Sequence, residues 1–223
     1  MLAACLIMGQ LMACKKQTTQ NQDDGIQIPP LIPQQELNTP IKGITTKKGM
    51  ISSTITNHEI SYNTFLTMDP DEDGRNDFYF TSVLIYHGGE SHLYLIASPV
   101  SKNSGMLLLS NGEEMQKNMQ SADPLNFGTV ISENIQTNQA WCNYTAKGVL
   151  LDVLDKGGLV KAYNGPWVNK ADKYLGMKMQ VNGKAHFGWI RLTHNIYQQR
   201  ISITGYAYNM LPAEPITAGD TGS

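Results

Sequence analysis

Residues 69–77 read Asp-Pro-Asp-Glu-Asp-Gly-Arg-Asn-Asp, a D-x-D-x-D-G-x-x-D spacing that sets hard oxygen donors at alternate positions. Calcium takes roughly six to eight such oxygens at about 2.3–2.6 Å. Asp69, Asp71 and Asp73 can turn toward one ion. Gly74 permits the sharp bend that brings the carbonyl of Arg75 into the shell, and Asp77 closes the loop directly or through water. An EF-hand would carry a glutamate at the loop's last ligand position. That place is Phe80, and both flanks have strand character. The motif predicts a shorter Ca2+ loop between β-strands, stiffening rather than catalytic. Without a cation, the clustered carboxylates must splay into solvent or titrate upward. A solvated acidic turn is the other reading, since Asp and Gly favour turns in any case.

Other reactive groups do not assemble into a motif. His58, His87, His92, His186 and His194 are scattered. His87 and His92 flank a Gly-Gly turn and could approach as a two-His metal site, although surface histidines are the usual occupants of such a turn. Neither HExxH nor GxSxG occurs, and Ser91 beside His92 has no placed third partner. Glu90, Asp123, Glu133, Asp152 and Asp155 could serve glycoside hydrolysis only if the fold sets two of them ~5–10 Å apart across a cleft.

Of the three cysteines, Cys5, Cys14 and Cys142, the second carries an address. Met1–Met12 is a short apolar run ending in Leu11-Met12-Ala13-Cys14, followed at once by Lys15-Lys16. The run is too short to span a membrane that needs ~20 apolar residues, and suits a signal h-region of ~7–15. This resembles a bacterial lipobox, which implies cleavage after residue 13 and a lipidated Cys14 as membrane anchor. Leu2-Ala3-Ala4-Cys5 also has the pattern but leaves almost no h-region. An outer-membrane lipoprotein is expected, on either face. Residues 14–41 then form a Gln-, Thr-, Asn- and Pro-rich tether with too little apolar surface to fold, and residues 42–219 form one domain ahead of a short tail at 220–223. Cys142 has no intrachain partner in that domain and reads as a buried small apolar residue or a free thiol.

The elements that must position the acidic loop are short, extended and separated by turn residues. Segments 50–56, 59–68, 77–86, 92–100, 105–110, 128–132, 140–145, 149–155, 159–163, 173–181, 185–194 and 200–209 read as strands, with one turn at Asn57-His58. His87-Gly88-Gly89-Glu90, Asp155-Lys156-Gly157-Gly158 and Val181-Asn182-Gly183-Lys184 are hairpin turns. Glu113–Gln120 is the sole helical candidate. Alternation in 173–181 sends Leu175, Met177, Met179 and Val181 to the core, and Tyr174, Gly176, Lys178 and Gln180 to the other face. The pattern predicts an all-β, jelly-roll-like antiparallel sandwich of roughly ten to twelve strands with little helix.

The C-terminal third carries three linked pieces: KYLGMKM at 173–179, HFGWIRL at 186–192 and GYAYN at 205–209, followed by Pro212, Pro215-Ile216 and Gly219. Together with the Asp69–Phe78 turn and the A-x-x-L-N-x-G-x-x-I segment at 122–131, they resemble a family of exported β-proteins of unassigned function, found as Bacteroidetes-type lipoproteins and as PEP-CTERM-sorted proteins. Phe127 and Thr129 stand where that pattern has small and acidic residues. The resemblance implies export and a β-fold, and brings no catalytic residues. Tyr206 and Tyr208 share one strand face; with Trp189 they form either core or a ligand platform for stacking sugars.

A net charge of −2 without a Lys/Arg stripe argues against a nucleic-acid partner. Two functions stay open. One is a calcium-stiffened, non-catalytic module of the cell envelope that binds carbohydrate or an envelope protein, or acts structurally. The other is an exported glycan-acting hydrolase.

Overall fold

The computed structural model describes residues 44–45, 50–110, 118–158, 161–195 and 198–222, with the backbone alone for 44–45 and 50–57. Among them are fifteen strands and no α-helix. In chain order these are β1 (Ile44–Thr45), β2 (Met50–Ile60), β3 (Phe65–Met68), β4 (Phe78–His87), β5 (Glu90–Pro99), β6 (Gly105–Leu109), β7 (Met119–Ser121) and β8 (Val130–Ile131). There follow β9 (Gln139–Cys142), β10 (Lys147–Asp155), β11 (Lys161–Asn164), β12 (Lys173–Val181), β13 (Lys184–Thr193), β14 (Ile201–Asn209) and β15 (Ile216–Thr217).

They form a β-sandwich. The first sheet runs β1-β2-β14-β13-β12-β6-β9, and the second runs β11-β10-β5-β4-β3 with β7 pairing β10 in parallel. β15 and β8 make a separate two-stranded strip. The alternation in β12 decides which face is inside. Leu175, Met177 and Met179 are buried between the sheets against residues such as Phe78, Phe80 and Leu95, whereas Tyr174 belongs to a second apolar cluster on the outer face. That outer cluster gathers Leu107, Phe187, Trp189 and Ala207 beneath Leu125, Ile131, Ile216 and Ala218.

Turn chemistry sets the registers. Asn182 and Gly183 take φ of 51° and 76°, and Val181 pairs directly with Lys184. Both central residues at positive φ give the two-residue turn whose twist suits a hairpin. Gly88 and Gly89 do the same at 59° and 85°, so His87 pairs with Glu90.

Two sequence expectations change. No turn occurs at Asn57-His58: β2 runs through both residues because it pairs with β14 on each side of a register shift opposite Ile203–Gly205. The chain reverses instead around Asn63, at φ 61°. Of the helix expected over 113–120, residues 113–117 lie outside the described residues. Asn118 is in a turn, and Met119 and Gln120 open β7, held in the sheet by β10.

Candidate metal centre

β3 and β4 pair from Phe65–Thr81 to Met68–Phe78, which leaves residues 69–77 as the hairpin loop. The Asp77 amide donates to the Met68 carbonyl at 2.8 Å and closes the loop's neck. The Val100 amide donates to the Asp77 carbonyl at 2.7 Å, tying the neck to the chain leaving β5. Glu72 (φ 58°) and Gly74 (φ 85°) supply the left-handed bends. For Gly74 this conformation is free of steric cost.

Inside the loop, Asp69, Asp71 and Asp77 converge, each with a carboxylate oxygen within 4.8 Å of the others. Asp69 is only 6% exposed. Its Oδ2 accepts the Gly74 amide at 2.9 Å, while its Oδ1 and Asp77 Oδ2 are buried with no hydrogen-bond partner. Among the described residues no lysine, arginine or histidine forms an ion pair with the three. Buried acceptors without donors are rare and costly, and call for a specific cause. Asp73 and Arg75 also hydrogen-bond to each other within the loop. Asp73 Oδ1 accepts the Arg75 amide at 2.8 Å, and the Asp73 amide donates to Asp71 Oδ1 at 3.3 Å. Both serve the loop's internal hydrogen bonding, and Asp73 is not among the three carboxylates that meet.

The electrostatics follow. Burial pushes Asp77 up to about 8, with the charges of Asp71, Asp69 and Asp73 adding to it. Asp71 rises to about 6, again chiefly through burial; the Asp73 amide pulls it down, while the Asp73 charge, a hydrogen bond shared with the Asp69 carboxyl and the Asp69 charge push it up. The field reaches β14. Tyr206 and Tyr208 are held above the ordinary phenol range first by burial, then by charges that include Glu72 and Asp69. The triad offers oxygen donors only. That is the donor set of a hard cation and not of zinc, which favours Cys and His. These residues could hold a metal ion.

Among the other sequence candidates, His87, Glu90 and Asp155 line one open cleft at the β4–β5 turn. Trp189, Tyr206 and Tyr208 make no platform: all three are buried, the tyrosines between the sheets and Trp189 on the outer face with its Nε1 donating to the Asp220 carbonyl at 3.1 Å. Strand alternation separates them, since Trp189 pairs with Ala207, whose side chain opposes its two tyrosine neighbours. Cys142 is a buried free thiol raised to about 11 by burial. Cys14 lies outside the described residues.

His92 turns toward β10. Its Nδ1 pairs with Asp152 Oδ1 at 3.0 Å on neighbouring β10, and its ring stacks on Tyr94 with centroids 5.6 Å apart. Sequence reading missed this pair because it needs the β5–β10 register; the outward parity shared by His92 and Tyr94 was the one local signal. His186 Nδ1 donates to the Asn209 carbonyl at 2.8 Å. His194 accepts the Asn169 amide at Nδ1 and donates from Nε2 to the Gln198 carbonyl, both near 2.9 Å. The five carboxylates considered for hydrolysis each have a separate partner: Glu90 with Lys156, Asp123 with Gln139, Glu133 with Lys178, Asp152 with His92, and Asp155 with the Gly158 amide.

No protein-family model, curated protein or solved structure matches the chain.

Proposed function

We propose that the chain is an exported lipoprotein, acylated at Cys14, whose β-sandwich is stiffened by a calcium ion in the 69–77 loop. It acts as a non-catalytic binding or structural module of the cell envelope. The observation that carries the metal reading is the pair of buried, partnerless oxygens, Asp69 Oδ1 and Asp77 Oδ2, facing Asp71 with no cationic side chain paired to them. Calcium suits an all-oxygen site on an irregular loop better than magnesium, which demands near-octahedral geometry at about 2.0–2.1 Å. An ion there would neutralise the three carboxylates and lock the neck joining β3, β4 and the chain after β5. The lipobox at residues 11–14, the polar tether and the resemblance to exported β-proteins support the location.

The full chain tests both parts. Intact mass of the membrane fraction should show acyl groups on Cys14, and Cys14→Ala should release the protein. Thermal melting should respond to calcium and reverse with EDTA. At about a hundred times the dissociation constant, binding adds about 2.7 kcal/mol, or roughly 5–10 °C for a chain of this size. An unmodified Cys14 refutes the anchor. A midpoint indifferent to millimolar calcium, in the parent and in Asp69→Asn alike, refutes the ion.

A further inference from the structure

Residues 126–136 cross the outer face of the first sheet between the Leu125–Tyr174 bridge and β9. The crossing is stapled along its length. The Gly128 amide donates to the Ala218 carbonyl at 3.0 Å, and the Ala218 amide to the Thr129 carbonyl at 2.8 Å. Trp141 Nε1 donates to the Ser132 carbonyl at 3.2 Å, and the Gln136 amide to Gln139 Oε1 at 3.1 Å. On this frame lies an open cleft of about 530 Å³, lined by Phe127, Thr129, Val130, Asn134, Ile135 and Gln136. Phe127 is 74% exposed and Val130 61%, the former with its ring edge resting against Gly219 and near Tyr174.

We propose that this cleft binds a neutral oligosaccharide, with one sugar ring stacked on Phe127 and its hydroxyls met by Asn134, Gln136 and Thr129. An exposed aromatic ring offers an apolar face to the C–H side of a sugar. Asn and Gln offer donors and acceptors together, as Thr does through its hydroxyl, which matches groups that both donate and accept. Nothing charged lines the cleft. The flanking Lys173 donates to Asn126, and Glu133 pairs with Lys178, which itself lies over the Trp141 ring. The lining residues themselves offer an ionic ligand no counter-charge. Scale points the same way: small-ligand sites run to roughly 300–1,000 Å³, whereas a stable protein partner needs roughly 20–30 residues a side. Hydrolysis would need paired acids, and no carboxylate lines the cleft. The inference rests on the reading of the chain as a binding module, and not on its calcium.

The test titrates the full chain with neutral gluco-, manno-, xylo- and N-acetylglucosamine oligomers by calorimetry, with and without EDTA, and follows the oligomers by chromatography. One class should bind and emerge uncut. Phe127→Ala should weaken it at least tenfold and Gln136→Ala severalfold, the second variant serving if the first lowers the melting temperature. The cleft reading is overturned if no oligomer binds at millimolar concentration or if binding survives both variants. It is also overturned if Phe127→Ala dissociates an oligomer in sedimentation while leaving sugar binding unchanged. Sugar binding that persists in EDTA beside an absent calcium shift refutes the ion alone; a calcium shift without sugar binding refutes the cleft alone.

Discussion

The folded chain disfavours a charge on Asp77 until a cation faces it. Its carboxyl sits at about 8 against an ordinary 3.8. Between those values the folded state holds a proton that the unfolded state has released, so stability falls as pH rises. The contribution is fully present below about 3.8 and lost as pH climbs through about 8; Asp71, raised to about 6, adds to it with the same sign. Calcium needs both groups ionised, so its binding releases protons and tightens across the same window. In EDTA the melting midpoint should therefore drop from pH 5 to pH 8, while at saturating calcium it should change much less. Asp77→Asn should raise the midpoint in EDTA at pH 8 by several degrees and abolish the calcium response. A lower midpoint for that variant in EDTA would mean that the ionised carboxylate has a protein partner of its own. The alternating aspartates made this loop legible from sequence. Which oxygens end up without partners was not, because Asp69 and Asp77 face each other only once Met68 has paired with Phe78 across the neck. Asp73 had the same spacing signal, yet its Oδ1 accepts the Arg75 amide and it is not among the three carboxylates that meet.

The strands were legible where local chemistry determined them. Asn182-Gly183 demands positive φ at two successive residues, so the β12–β13 hairpin followed from two letters. The run of β2 through Asn57-His58 was hidden because its partner, β14, lies more than a hundred residues away in sequence. Gly176 and Gly188 stand inside strands, where a glycine allows close approach; what approaches them came from the fold. A methyl on Gly188 would meet the Ala207 carbonyl oxygen at 2.6 Å and Tyr208 Cβ at 2.8 Å, besides the Met177 methyl. A flexible methionine can yield, but a backbone carbonyl in the paired β14 cannot without moving the strand. Gly188→Ala should therefore cost roughly 1–3 kcal/mol, read as a midpoint lowered by about 3–10 °C. A change under one degree would show that β13 and β14 separate more easily than their register suggests.

At the scale of the molecule, burial is divided among the inter-sheet core, the outer cluster of the first sheet and a smaller group of Tyr94, Ile96, Met119 and Val149. The inter-sheet core and the outer cluster under the C-terminal segment are separate groups of contacts. The Pro-x-x-Pro-Ile-x-x-Gly stretch at 212–219 was visible as a pattern, yet its work was not: Ile216 and Ala218 cap Trp189 and its neighbours, Asp220 accepts the Trp189 N–H, and Ala218 anchors the 126–136 crossing. Deleting residues 213–223 strips that cover while leaving every strand of both large sheets in the chain. Each large apolar side chain uncovered forfeits roughly 1.5–3 kcal/mol, so the midpoint should fall by more than about 10 °C. Because the inter-sheet contacts are untouched, the far-ultraviolet β signal at low temperature should persist while a dye specific for exposed apolar surface begins to bind. If the β signal vanishes instead, the two clusters fold as one cooperative unit, and the strap is as necessary to the sandwich as Phe78 or Phe80.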